Sequence, residues 1–549
     1  MTDRPNILLI MTDEERYPPP YEGEDVRTFR RTQLSARAAL QDRGLSLHRH
    51  YAGSTACSAS RATLFTGQYP SLHGVTATDG IAKSSHEVTW LDPDQVPTMG
   101  DWFRAAGYQS HYRGKWHITH ADLPTFQGEG GLMTVDVAGK VISENVEAYR
   151  RADRLEPFGF SGWIGREPHG IQPQDMGLVR DGVYAEQVTT MFDELAASRS
   201  DNGPWLSVAS FVNPHDILFQ GMLWSQMLHL QEPDNTVPDV AAAPSQQDGF
   251  AGRPPCHEDF AKVWPQMTYP QDADLAYRRL YYYLHKIVDQ AIGRILVALD
   301  DSGMADDTIV MFTSDHGDLV GAHGGMMQKW YNAYDESIRV PLIVAGPDIA
   351  TREGGISMPT SHVDLIPTAL GLSGADMEQA MAEVSRTHTE AQPLPGRDLS
   401  GLLRGSVAEE SLRTPLYFMT EDDFSRGSNN TNPISGASFE PVRYPSNVES
   451  VVAMLPTGAD GGLETWKLNH YYERLDDWNA EHGRMPAPNT PPAAESLWEL
   501  HNLTADPEER HNVAEDDLDS RHRMEALLIE QRDEKRRLPQ HRNPLPATP

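Results

Sequence analysis

Only two cysteines, Cys57 and Cys256, occur in 549 residues. Far apart in the chain, they exclude a disulfide framework and a thiol-rich metal site. Basic residues are scarce, 46 Lys and Arg against 79 Asp and Glu. The resulting formal charge of −33 excludes an extended basic face for nucleic-acid phosphates. It leaves room for a small anion, which answers to the local field of a cleft. Apolar runs of the roughly 20 residues needed to span a membrane are also lacking. In "MTDRPNILLIMTDEER" the run is too short for a secretory signal and reads as a first strand. The expected location is the cytoplasm, with neither nucleic acid nor membrane as partner.

What the chain does have is a series of short apolar runs that end abruptly in polar residues. "NILLIM" stops at Thr12, Asp13 and Glu14, and "YQSHYRGKWH" ends with Lys115 and His117. "WLSVASFV" leads into Asn213, Pro214 and His215, and "TIVMFTS" into Asp315, His316 and Gly317. Runs without polar alternation suit strands buried on both faces of a parallel sheet. Helical segments alternate with them. The clearest carries Leu280, Leu284, Ile287, Val288, Ala291 and Ile295 at helical spacing. The fold expected is α/β, a large mostly parallel sheet flanked by helices. Ligands in such sheets bind beyond the carboxyl ends of the strands, where these polar clusters stand.

Composition shifts after "LPGRDLSGLLRG" toward Pro, Asn and Gly, with the strand-like pieces "TPLYFMT", "VESVVAML" and "ETWKLNHYY". A catalytic domain over 1–405 and a smaller α+β domain over 406–549, with an antiparallel sheet, are expected. A terminal helix carries Met524, Leu527, Leu528 and Gln531 on one face, which can dock on its own chain or on a second subunit. A homo-oligomer is left open.

Asp13 and Glu14 at one strand end are by themselves compatible with a solvated turn. Together with Asp315 and His316 they make three carboxylates and an imidazole, which repel one another unless a cation joins them. A mainly oxygen donor set suits calcium, magnesium or manganese, and the imidazole tilts it toward manganese.

Cys57 admits three readings: a buried small hydrophobe, a thiolate at a helix N-terminus activated by the dipole and Arg61, or a modified residue. The third rests on resemblance. "CSASRATLFTGQYPSLHGV" resembles the modification motif of the type I sulfatases of the alkaline phosphatase superfamily, in which the cysteine is oxidised to formylglycine. "YRGKWH", "NPHD", "TSDHGDLVGAHG", "QKWYNAYDESIRVPLIV" and "LWELHNLTADPEERHNVA" are similar to later elements of that family. The resemblance is weakest over 120–200 and 218–270.

The resemblance implies an alkaline phosphatase-like fold and an arylsulfatase-like enzyme that cleaves small sulfate esters. Its hydrated aldehyde offers one oxygen to attack sulfur and another to expel sulfate. Asp13, Glu14, Asp315 and His316, with residue 57, would hold one divalent metal, calcium first and manganese as the alternative. Arg61 would hold the hydrated aldehyde, Lys115 and Lys329 the sulfate oxygens, and Asp315 would serve as base. His117 would take the second hydroxyl proton and His215 would protonate the leaving alcohol. A formylglycine-generating enzyme is the implied partner. Taken singly, the two lysines read as surface residues and the two histidines as core residues; the set of motifs reverses that.

Two departures matter. Ala59 stands where proline is commonest, which makes conversion of Cys57 dependent on the host. Glu14 and His316 resemble the phosphonate monoester hydrolase branch, so a phosphonate monoester hydrolase or phosphodiesterase is the alternative, and a non-catalytic binding protein the third reading. His73 and His323 receive no role, and Glu421 and Asp422 read as turn residues with the option of entering the pocket. "FQGMLWSQMLHLQ" (Phe219 to Gln231) is either an apolar wall for the leaving group or core.

Overall fold

The computed structural model describes every residue except 1–3, 126–130, 169, 171, 199–202, 220–233, 269–271, 433–434, 458–461, 474–495 and 541–549. The strands of its first two sheets are β1 (Asn6–Asp13), β2 (Gly44–Ser46), β3 (His50–Tyr51), β4 (Gln109–Gly114), β5 (Trp205–Pro214), β6 (Thr308–Ser314), β7 (Arg339–Val340), β8 (Leu342–Ala345) and β9 (Thr360–Ser361). Six of them form the main sheet in the order β2-β8-β6-β1-β5-β4, and β7-β3-β9 form a small sheet beside it.

Alternation on β1 explains why its sequence is apolar throughout. Ile7, Leu9 and Met11 pack with Ala62, Leu64 and Phe65 on one face. Leu8 and Ile10 pack on the other with Val188, Phe192, Ile292 and Ile295, from helices Gly177–Ala197 and Leu275–Asp301. The pairings of β1 with β5 and β6, and of β4 with β5, are parallel as expected. The sheet is nevertheless mixed, because β8 runs antiparallel to both β6 and β2. Its cause is the path of the chain. After β6 the backbone stays at the carboxyl rim through Asp315 to Ile338 and re-enters the sheet from that rim, so β8 must run the other way.

The helix Cys57–Thr66 begins at the same rim, and all ten of its residues are buried. Gly67 ends it with φ 64°, a left-handed conformation that glycine adopts without a Cβ penalty.

A third sheet, in the order β10-β11-β12-β13, comprises β10 (Leu416–Thr420), β11 (Asn447–Thr457), β12 (Gly462–Tyr472) and β13 (Leu497–Asn502). All its pairings are antiparallel. Leu416, Phe418, Val448 and Val452 share a core with Tyr281, Trp264 and Trp330 of the catalytic body. Tyr417, Val451 and Leu468 face outward and are covered by Met524 and Leu528 of the helix Leu518–Lys535. That helix therefore docks on its own chain, where Arg532 Nε donates to Glu449 at 2.9 Å. Both cysteines are free and buried. Among the described residues, no helix is long and apolar enough to cross a membrane.

Candidate active site

Four segments deliver their polar residues to one rim. Asp13 ends β1, Lys115 follows β4, His215 follows β5, and Asp315 and His316 follow β6. The helix that starts at Cys57 meets them there. Cys57 Sγ lies 3.1 Å from His316 Nε2 and 3.8 Å from Asp13 Oδ1.

Asp13 is the hub. Its Oδ2 is 2.6 Å from Lys115 Nζ and 2.8 Å from Arg61 Nη2, and its Oδ1 is 3.3 Å from His215 Nδ1. Burial works against ionisation of Asp13, yet Lys115, His215 and Arg61 together hold its carboxyl well below the usual carboxylate range. Arg61 is wholly enclosed. Its Nε donates to Asp315 Oδ2 at 2.8 Å, and its Nη1 to the Lys115 carbonyl at 2.8 Å and Ser210 Oγ at 2.9 Å. With Asp13 as well, Arg61 fixes the two carboxylates relative to the end of β4, so orientation of acids is its visible work. Asp315 Oδ1 accepts the backbone N–H groups of Glu14 and His316 at 3.0 and 2.9 Å.

His316 Nδ1 lies 2.9 Å from the Gly317 carbonyl. Donation there fixes the tautomer and leaves the Nε2 lone pair facing Cys57. Asp13, Cys57, Asp315 and His316 have ligand atoms all within 4.8 Å of one another, every one on a buried residue. Glu14 stands outside that quartet and groups instead with Asp13 and His215. Its Oε2 accepts from Lys329 Nζ at 3.0 Å, while its Oε1 is buried with no hydrogen-bond partner among the described residues. Burial pushes the Glu14 carboxyl well up, against the pull of Lys329 and with the push of Asp318. An orphaned carboxylate oxygen beside two further acids and an aimed imidazole fits a hard divalent cation.

The surroundings of Cys57 work against the thiolate reading. Burial and the Asp13 charge push its thiol up to about 12 despite Lys329 and Lys115, so the unmodified side chain is a neutral thiol. Position N1 of a helix does not offset that. Burial, aided by Lys115, also lowers His215 to about 3 despite Asp13. His215 is thus neutral in the substrate-free protein, with Nδ1 3.2 Å from Glu14 Oε2.

His117 stands at the margin, its Nε2 3.3 Å from Asp79 Oδ1. Sequence reasoning missed the residue that holds it. Glu167 accepts the backbone N–H groups of His117 at 3.0 Å and Trp116 at 3.2 Å, supporting a left-handed His117 with φ 64°. Burial and the neighbouring Asp122 push Glu167 up to about 8, so it is largely the neutral acid at pH 7. Glu167→Gln is therefore expected to keep most wild-type activity at pH 7. Glu167→Ala leaves two buried N–H groups unpaired, costing about 1–3 kcal/mol of stability and about ten- to a hundredfold in kcat through misplacement. Denaturation and steady-state kinetics on both variants check this; an Ala protein equal to wild type in both would show that Glu167 positions nothing.

Asp79, Ser210 and Asp318 were likewise unassigned in the sequence, although Asp318 lies inside "TSDHGD". His73 and His323 are structural: His73 meets Thr63 Oγ1 and the Val75 N–H, and His323 stacks on Tyr334 and meets Glu336. Asp422 accepts from Thr78 N and Trp330 Nε1 and so ties the C-terminal sheet to the catalytic body, whereas Glu421 accepts from Tyr472 and Arg536 within the C-terminal part. The apolar stretch after Phe219 lies outside the described residues.

The Sulfatase family model matches residues 5–375. The chain is 26% identical over 386 residues to the uncharacterized sulfatase YidJ of Escherichia coli (strain K12), covering 68% of this chain and 69% of that protein. It is 26% identical over 387 residues to the choline-sulfatase of Rhizobium meliloti (strain 1021), covering 69% of each. A solved putative sulfatase from Bacteroides thetaiotaomicron VPI-5482 shares the fold with a TM-score of 0.62, at 20% identity, over 97% of this chain and 93% of that one. A phosphonate monoester hydrolase from Silicibacter pomeroyi aligns with a TM-score of 0.60, at 19% identity, over 97% and 96%. With more than half of its length matched by that family model, and the conserved fold beneath it, the chain belongs to the sulfatase family of hydrolases.

Proposed function

We propose that this enzyme hydrolyses sulfate monoesters through a formylglycine made from Cys57 by a separate modifying enzyme. The observation that supports this most is the setting of residue 57, at a helix start, 3.1 Å from His316 and 3.8 Å from Asp13, with Lys115 and Lys329 near enough to act on its charge. A hydrated aldehyde there supplies an oxygen to attack sulfur and a second to release sulfate. A divalent cation held by Asp13, Asp315, His316 and residue 57, calcium before manganese, supplies Lewis acidity.

The chain's own residues do the rest. Lys115 and Lys329 offer ammonium groups to the sulfate oxygens in a dry site, where fixed charge acts strongly. Arg61 keeps Asp13 and Asp315 aimed. Asp315 is the base for the attacking hydroxyl, and His117, paired with Asp79, takes the second hydroxyl proton. His215 gives a proton to the leaving alcohol, after the bound ester's negative charge has restored the imidazolium that burial disfavours. The two buried free cysteines suit a reducing compartment such as the cytoplasm.

His316 favours one second reading, a phosphonate monoester hydrolase or phosphodiesterase, because an imidazole replaces a neutral or anionic oxygen donor in the quartet. A panel of sulfate monoesters, phosphate diesters and phosphonate monoesters on metal-replete, fully converted enzyme separates the two. Sulfate monoesters are expected to give the highest kcat/KM. A clear preference for a phosphonate monoester or a phosphodiester would establish the second reading instead.

A further inference from the structure

A groove of about 780 Å³ lies away from the catalytic cluster and shares no residue with it. Helices Ser143–Ala152 and Gly177–Ala197 contribute to its walls, and the end of β4 contributes its floor. Val141, Val146, Ile164, Val179 and Val183 give the lining an apolar part, beside the charged Arg150, Glu186, Glu194 and Arg294. Among them sits one buried cation, Arg113, only 8% exposed.

Arg113 differs from three of the other buried arginines; a fourth, Arg16, also lacks a carboxylate partner but donates to Tyr21 Oη and to the carbonyls of Asp318 and Leu319. Arg37 pairs with Glu15 and Asp289, Arg61 with Asp13 and Asp315, and Arg180 approaches Asp175 at 3.9 Å. Arg113 has no carboxylate within ion-pair distance among the described residues. Its Nη1 donates to the carbonyls of Tyr112 at 2.9 Å and Ser161 at 3.2 Å. Nε and Nη2 make no hydrogen bond among the described residues. Burial draws Arg113 down to about 10, which still leaves it charged at neutral pH. Gly162, with φ 77°, borders the guanidinium, and a Cβ there would stand 2.5 Å from Nη1. A side chain at that position would crowd the guanidinium.

The acids nearby are accounted for. Asp153 accepts from Gly162 N at 2.7 Å, and Glu186 pairs with Arg294 at 3.3 Å. Glu194 lines the exposed side of the groove and is the second largest influence on Arg113 after burial, without reaching it. A buried, uncompensated charge is costly, and an anion entering the groove would relieve it. A guanidinium fork matches sulfate or carboxylate oxygens, and the valine-rich walls match an apolar body.

We propose that this groove is a second ligand site, which takes an organic anion with its sulfate or carboxylate head on Arg113 and its apolar body against Val141, Val146, Ile164, Val179 and Val183. The test is calorimetric titration of the full-length protein with hexanoate, hexyl sulfate and hexanol. Wild type is expected to bind at least one of the anions about tenfold or more tightly than hexanol, since the charge-assisted bonds to Arg113 are absent with the alcohol. Binding of hexanoate alone assigns the site to carboxylates, and of hexyl sulfate alone to sulfate esters. Arg113→Met is expected to lose about tenfold or more in affinity for that anion. Val141→Glu, at a position 46% exposed, places a negative charge at the rim and is expected to weaken the anion several-fold while leaving ester hydrolysis unchanged. It decides the matter if Arg113→Met does not fold. No binding of either anion, hexanol binding as tightly as the anions, or anion binding untouched by Val141→Glu would overturn the proposal. The last result would place hexyl sulfate in the catalytic cleft.

Discussion

Asp13→Ala is expected to lose ester hydrolysis by about 10³-fold or more and stability by about 3–5 kcal/mol. Asp13 neutralises Lys115 at 2.6 Å and Arg61 at 2.8 Å, and it belongs to both groups of side chains able to hold a metal. Its removal leaves Lys115 buried without its counter-ion and Arg61 with Asp315 alone. Breaking a buried pair costs far more than the pair contributes, because the remaining charge stays out of water. Asp13→Asn, which keeps the shape but not the charge, is expected to be destabilised as well and to bind less metal. Chemical denaturation, elemental analysis and kcat/KM are the measurements. Wild-type metal content together with a stability change under about 1 kcal/mol would remove Asp13 from the centre of the site.

The second large effect concerns His215, and it depends on the leaving group. In the proposed mechanism the lysines act on the sulfate oxygens, so the departing alkoxide needs its own proton donor, and a positioned acid contributes on the order of 10²–10⁴-fold. His215→Ala is therefore expected to slow an alkyl sulfate by about that factor and a nitrophenyl sulfate far less, since nitrophenolate departs unaided. The slope of kcat/KM against leaving-group pKa steepens in the variant. A general acid must be protonated to act, so loss of the His215 proton sets an alkaline limb, in kcat/KM for the free enzyme, where burial disfavours the imidazolium, and in kcat for the complex. Parallel slopes would make His215 a binding residue, with Lys329 the next candidate for the acid.

The sheet and the rim were legible because β1, β5 and β6 are apolar on both faces and stop at the residues that carry the chemistry. What was not legible was the wiring. No spacing rule announces that Arg61 will turn to Asp13 and Asp315, 48 and 254 residues away in sequence. Glu167 is an acid in a stretch of weak resemblance, and its task, accepting two backbone N–H groups, leaves no pattern. The reversed β8 escaped because strand direction is set by where the intervening chain lies, which apolar runs do not encode. The setting of Cys57 was half legible for a related reason: a helix N-terminus is visible in sequence, whereas the burial that opposes a thiolate there is not.

Mass analysis of the peptide containing residue 57, from enzyme of known specific activity, tests the central claim most directly. Conversion of Cys57 to formylglycine replaces the thiol sulfur with an aldehyde oxygen, and sulfatase turnover is expected to rise in proportion to the converted fraction across preparations. Full turnover in a preparation whose residue 57 is entirely unmodified cysteine would contradict it.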